Sequence, residues 1–178
     1  MINKSINWKY PEYIVQCEWL RDKINHNKIR IFDCTTYLRY CDDNPLKPYD
    51  VVSGFDDYKS SHIPGASFLD LQKDLSENKS LYRFTLPDLN ILHKSFCKLG
   101  VDDEFHIILY SGNGPQWSTR IWWMLYILGF KKISILDGGF NQWKKLGYQT
   151  EKKINIFKEG NFKIHSNSFR EMFELYLA

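Results

Sequence analysis

Cysteine is scarce in this chain of 178 residues. Its four copies, Cys17, Cys34, Cys41 and Cys97, form no C-x-x-C pair and share no metal-ligand spacing with a histidine. That pattern excludes a zinc knuckle and a dithiol redox motif, and the reading carries no metal and no cofactor. Cys34 ends the apolar run IRIFDC and is read as a small buried residue, as free cysteine commonly is. Long hydrophobic runs are also missing. No stretch approaches membrane-spanning length, and the opening MINKSINWKY lacks the apolar core of a secretion signal. A cytoplasmic chain with free thiols and no membrane partner is the expectation. A charge excess is missing too. A net charge of +3, with lysines scattered in pairs rather than in a stripe, gives no footprint for nucleic acid.

What is present suits one domain with a substantial core, since 43% of residues are hydrophobic. Helical spacing of Val15, Trp19, Leu20 and Ile24 predicts a helix over 15–25. Residues 29–34 read as a buried strand. Residues 35–61, punctuated by Pro45, Pro48 and Gly54, read as a long irregular stretch ending in a short helix, FDDYKSS. HIPGA then reads as a turn and residues 66–71 as a second strand. Thr85 and Pro87 look like the cap and first turn of a helix that Gly100 stops. Strand 105–110 leads into a loop, a helix over 117–128 that is apolar nearly all round, strand 133–136, the turn Asp137-Gly138-Gly139, and a last helix bearing Phe140, Trp143 and Leu146. Strands alternating with helices predict a parallel sheet covered on both faces, hence an α/β fold.

The loop from Ser111 to Gln116 is the candidate site. It lies between a strand end and a helix start, where open α/β sheets place ligands and where backbone N–H groups can cradle an anion. The residues assigned to such a site are Ser111, Gly112, Asn113 and Gly114, with Arg120 and His62 as outlying members. Gly112 and Gly114 would let a ligand approach closely, though backbone geometry alone also accounts for them. Arg120 would meet an anion in the loop or, as the preferred reading, pair with Asp33 or Asp137, because a buried charge needs a partner. His62 is expected to bond backbone and fix its turn. Asp33 and Asp70 are expected to cap or tie loops. S-G-N-G is not a hydrolase elbow, so Ser111 is read as a turn residue and no catalytic residue is assigned.

Several segments in order resemble the rhodanese family of sulfurtransferases over residues 15 to about 165. VQCEWL is similar to the family's opening helix. IFDCTTYL is similar to its strand and following Tyr-Leu pair, and SHIPGASFLDL to its G-H-I-P-G-A-x-F-x-D motif. RIWWMLYILGF and ILDGGFNQW resemble its R-x-W-W and L-D-G-G-x-x-x-W signatures. The resemblance is nearest to the first domain of the two-domain thiosulfate and 3-mercaptopyruvate sulfurtransferases. It implies a three-layer α/β/α fold with a five-stranded parallel sheet. It also implies that the nucleophilic cysteine, which carries sulfane sulfur as a persulfide, sits in the equivalent loop of a second domain.

In that family the first-domain loop has no cysteine, and here Tyr110-Ser111 stands in its place. The chemistry agrees: sulfur transfer needs a thiolate, and a serine hydroxyl cannot hold sulfur in an S–S bond. Members of the mercaptopyruvate type often also carry an aspartate and a histidine that face the second domain's cysteine. The resemblance places Gln72 and Phe84 there, and neither is an acid or a base. The expectation is a rhodanese-like domain over 1–153 and an interdomain linker with the possible start of a missing second domain over 154–178. Its partner would be a second rhodanese domain in cis, or another copy in a homo-oligomer, with a small sulfur donor in the full enzyme. The alternatives are a stand-alone inactive binding or regulatory module and a truncated gene product.

Overall fold

The computed structural model describes residues 9–41 and 48–165. A turn of 3-10 helix at Pro11–Tyr13 opens the described chain. It is followed by β1 (Ile14–Val15), α1 (Cys17–Lys23), β2 (Ile29–Asp33), β3 (Thr36–Tyr40) and β4 (Tyr49–Ser53). Next come α2 (Phe55–Ser60), β5 (Ser67–Phe68), α3 (Leu71–Leu75), α4 (Leu89–Lys98), β6 (His106–Tyr110), α5 (Gln116–Ile127), β7 (Ile133–Leu136) and α6 (Gly139–Lys145). Five strands form one parallel sheet in the order β1-β7-β6-β2-β5.

Side-chain alternation along the central strands divides the core into two layers. Phe32 of β2 and Ile107 and Leu109 of β6 face a cluster with Leu71, Leu75, Leu92, Phe96, Ile121 and Leu125, drawn from α3, α4 and α5. Ile31, Ile108 and Tyr110 point the other way, onto Cys17, Leu20, Phe140 and Trp143 of α1 and α6. Helices on both faces of a parallel sheet give the α/β/α layering that the sequence pattern implied. Helix α4 shows the local logic. Asp88 caps it, its carboxylate accepting from the N–H groups of Asn90 (2.9 Å) and Ile91 (3.4 Å), while Leu92 and Phe96 recur on its buried face.

Four segments depart from the sequence pattern. The described parts of residues 35–61 are not irregular: β3 and β4 pair antiparallel, from Thr36 opposite Ser53 to Tyr40 opposite Tyr49, as a separate two-stranded sheet. Pro45 and Pro48 obscured it by breaking the alternation between the strands, and residues 42–47 lie outside the described part. Val15 belongs to β1, so the first helix starts only at Cys17. The strand expected over 66–71 shortens to Ser67–Phe68, because Asp70 caps α3 by accepting from the Lys73 N–H at 2.9 Å. The helix expected from Thr85 starts instead at Leu89, where Asp88 provides the cap.

Residues 154–165 run back over the domain. The Asn155 N–H donates to the Tyr58 hydroxyl (3.0 Å), and Phe157 packs edge-on against Phe32 (5.2 Å between ring centroids). Phe162 is 2% exposed, held between Phe130 and His93, and His93 Nε2 donates to its carbonyl at 2.7 Å. HSNSFREMFELYLA, from His165, also reads as the start of another helix, and all of that segment after His165 lies outside the described part.

Candidate functional site

Strand β2 lies between β6 and β5, and the chain crosses over it between those two neighbours. The carboxyl ends of β2 and β6 therefore flank the position where strand order reverses, the usual crevice of an open α/β sheet. Asp33 and Tyr110 are register partners there. Asp33 is 3% exposed. Its Oδ1 accepts from the Thr35 N–H (2.9 Å) and the Thr35 hydroxyl (2.5 Å). Burial pushes the Asp33 carboxyl above its ordinary value, against the hydrogen bonds from Thr35 and Tyr110 that favour the charged form. Burial likewise pushes the Tyr110 hydroxyl well up, with the Asp33 charge adding to it.

The loop after β6 is tied down from every side. The Gly112 N–H donates to Thr35 Oγ1 (2.8 Å), Asn113 Nδ2 to the Thr36 carbonyl (2.6 Å), and Asn141 Nδ2 to the Gly112 carbonyl (2.7 Å). The Ser111 hydroxyl donates to the Gly114 carbonyl, and Ser111 is 4% exposed. The Phe140 N–H donates to the Ser111 carbonyl at 3.2 Å. Gly138 and Gly139 both have positive φ, +69° and +55°, and a Cβ at 139 would lie 2.4 Å from the Ser111 carbonyl oxygen. The paired glycines are therefore required for this approach. At the start of α5 the Ser118 and Thr119 hydroxyls both donate to the Pro115 carbonyl. Asn113 Oδ1 is buried without a partner, and it is an acceptor, which repels an anion.

Beside the closed loop a cavity of about 540 Å³ opens between Ser111, Gly114 and Ser118 on one side and Asp137, Gly138 and Asn141 on the other. The structure thus brings Ser111, Gly112, Asn113 and Gly114 together and leaves the other two assigned residues elsewhere. His62 is fully buried, stacked on Tyr58 at 3.9 Å with its Nδ1 on the Tyr58 carbonyl at 2.6 Å, which is the backbone-fixing role expected of it. Its Nε2 lies 3.4 Å from Glu151 Oε1, within ion-pair range but without hydrogen-bond geometry. Burial opposes ionisation of Glu151, yet hydrogen bonds from the Gly65 N–H and Asn155, with His62 nearby, hold its carboxyl below the ordinary value.

Arg120 pairs with neither Asp33 nor Asp137. Its Nη2 donates to the Phe84 carbonyl (3.0 Å), and its guanidinium lies over the Trp123 ring (4.6 Å to the centroid). The expectation of an ion pair overlooked that helix α5 turns this residue toward the 77–86 loop. Phe84, whose φ is +58°, also packs its ring on Trp117, and its N–H donates to Gln72 Oε1 at 3.2 Å. The two positions singled out by resemblance, Gln72 and Phe84, are therefore in direct contact. Sequence reasoning missed Thr35, Thr36 and Asn141 as supports of the loop. Thr35 carries a signal, since Asp33 and the N–H two residues on make an Asx turn. Asn141 carries none.

Burial raises three of the thiols: Cys17 to about 11, Cys34 well above its usual value and Cys97 in the same direction. Such thiols are poor nucleophiles. Among the described residues no three His, Cys, Asp or Glu side chains gather as they would around a metal ion, and no helix is long and apolar enough to cross a membrane.

Comparison with known proteins follows the same lines as the fold. The rhodanese-like domain model matches residues 16–146. Thiosulfate/3-mercaptopyruvate sulfurtransferase 2 of Arabidopsis thaliana is 29% identical over 144 residues, covering 81% of this chain and 39% of that protein. The 3-mercaptopyruvate sulfurtransferase of Escherichia coli K12 is 29% identical over 150 residues, covering 84% of this chain and 50% of its own length. The crystal structure of the E. coli 3-mercaptopyruvate sulfotransferase SseA superposes with a TM-score of 0.71 at 28% identity, over 86% of this chain and 55% of that one. The chain thus spans half or less of the length of these two curated relatives. With the five-stranded parallel sheet and the matched motifs in hand, the chain belongs to the rhodanese-like domain family.

Proposed function

We propose that this chain is the non-catalytic half of a thiosulfate/3-mercaptopyruvate sulfurtransferase, forming one wall of a cleft whose other wall is a cysteine-bearing rhodanese domain. The observation that carries this reading is Ser111. At the strand-to-helix position where a sulfur carrier needs a thiolate, the chain has a hydroxyl, and that hydroxyl is engaged with the Gly114 carbonyl. Three of the four cysteines, Cys17, Cys34 and Cys97, do not compensate, because they are buried and their thiolates disfavoured, and Cys41 lies just past β3, away from the loop.

The test is turnover. The purified chain should give no thiosulfate:cyanide or 3-mercaptopyruvate:thiol sulfur transfer alone. Addition of a cysteine-bearing rhodanese domain should yield more activity than that domain shows by itself. Turnover by the isolated chain that persists when all four cysteines are replaced would overturn the reading. A stand-alone binding module is the second reading, and the 540 Å³ cavity beside Ser111 favours it. It requires a ligand or partner that binds at Gly114, Ser118 and Asn141 without any cysteine-bearing domain present.

A further inference from the structure

Among the described residues, helix α5 carries three buried side-chain N–H donors without an acceptor, Trp117 Nε1, Arg120 Nε and Trp122 Nε1, and the first two lie three residues apart on the side that faces Phe84. Trp117 and Arg120 both touch Phe84. Arg120 donates to its carbonyl through Nη2, and the Trp117 indole packs on its ring at 5.5 Å between centroids. Trp117 is 9% exposed, so its indole N–H lies at the edge of the packed region with no protein acceptor among the described residues. A buried donor without an acceptor costs free energy, and so does a desolvated guanidinium without a counter-charge. Burial already lowers the Arg120 pKa, and no carboxylate among the described residues lies in ion-pair range of it.

The surroundings hold the guanidinium in one orientation. The Trp123 face lies beneath it, and the Phe84 carbonyl fixes one edge. Phe84 adopts an uncommon left-handed backbone conformation, and Gln72 Oε1 accepts from its N–H. A backbone conformation that side-chain residues rarely adopt, with its carbonyl on an unpaired arginine, marks a place where local strain accompanies function. The free edge of a fixed guanidinium suits an oxyanion with two oxygens in one plane.

We infer that Arg120, with the Trp117 indole beside it, is a binding site for a small oxyanion of the carboxylate or sulfur-oxyanion class. This inference rests on the proposed role as a cleft wall and adds to it: beside Gln72 and Phe84, neither of which is an acid or a base, this wall offers a positive charge to the donor's anionic end. Arg120 binds and orients; it transfers no proton.

The experiment uses the full chain without any added domain, so its outcome is independent of turnover. Thiosulfate, sulfite and pyruvate are titrated separately at low and constant ionic strength, with chloride as the control. Tryptophan fluorescence and the indole N–H resonance of Trp117 are followed. Saturable shifts with the oxyanions but not with chloride are expected. Arg120→Gln should weaken binding about tenfold or more, and Arg120→Lys, which keeps the charge but loses the planar fork, several-fold. Trp117→Phe should weaken it less, and circular dichroism confirms that each variant is folded. Unchanged shifts in Arg120→Gln would place any bound anion elsewhere, such as at the Ser111 loop, and overturn the assignment. Absence of a saturable shift with every oxyanion would overturn it too. In that case weaker association of Arg120→Gln with a cysteine-bearing domain would show that the guanidinium meets a partner's carboxylate instead.

Discussion

Two ends of one short stretch of chain, the loop at 111–115 and the side chains at 117–120, follow opposite rules. In the loop almost every polar group has a partner inside the protein: Ser111 with Gly114, Gly112 with Thr35, Asn113 with Thr36, Asn141 with Gly112. Within the first two turns of α5, Trp117 Nε1 and Arg120 Nε have none among the described residues. Position in the fold singles out the loop as the reactive place, yet the unsatisfied chemistry lies beside it. The difference teaches that a site inherited from a fold and a site built by side chains need not coincide.

Perturbing the loop should be costly, and perturbing the Arg120 face should not. The largest effect is expected at Gly139→Ala. A Cβ there meets the Ser111 carbonyl oxygen at a positive φ, and denaturant unfolding should show a loss of about 3 kcal/mol. A loss below about 0.5 kcal/mol would mean that the loop yields easily, against the packing described. Thr35→Val removes the hydroxyl that links the Gly112 N–H to Asp33, and should cost about 2 kcal/mol because the Gly112 N–H loses its acceptor and the buried Asp33 carboxylate loses one of its donors. Arg120→Met keeps the stem's packing over Trp123 and removes an uncompensated charge, so stability should stay within about 1 kcal/mol of the unaltered chain. An Arg120→Met cost as large as that of Thr35→Val would erase the contrast.

The smallest effect expected is a change in pH dependence. Glu151 is held below its ordinary value of 4.5 in the fold, so its contribution to stability is present above that value and is lost as pH falls through the lower native one. Glu151→Gln should therefore flatten the drop in thermal midpoint between about pH 5 and about pH 3 and leave the loop untouched. An unchanged acid limb would show that the Gly65 and Asn155 contacts do not favour the charged carboxylate.

Much of the fold was legible because it rests on local signals. The apolar run of β6, the all-round apolar helix after it and the Gly138-Gly139 turn each state their own structure. The β3–β4 pair was hidden because pairing across an interrupted segment depends on partners distant in sequence rather than on the strands' own pattern. At the site, Ser111 and its glycines could be read directly from the strand-loop-helix pattern. Arg120 could be read as a charge in need of a partner, but its direction could not. Which carbonyl it meets depends on the left-handed turn at Phe84, and nothing in the residue type of a phenylalanine announces one.

The segment that brings Phe157 and Phe162 back onto the domain bears on the order of events during synthesis. Phe162 fills a place between His93 and Phe130, and Asn155 bridges to Tyr58 and Ala66. A nascent chain that has released only its first 150 residues already carries every strand of the sheet, yet an aromatic gap remains along α4 and Tyr58 lacks a donor. The late-emerging segment closes both. Completion of this domain thus waits on twelve residues that form none of its named strands or helices.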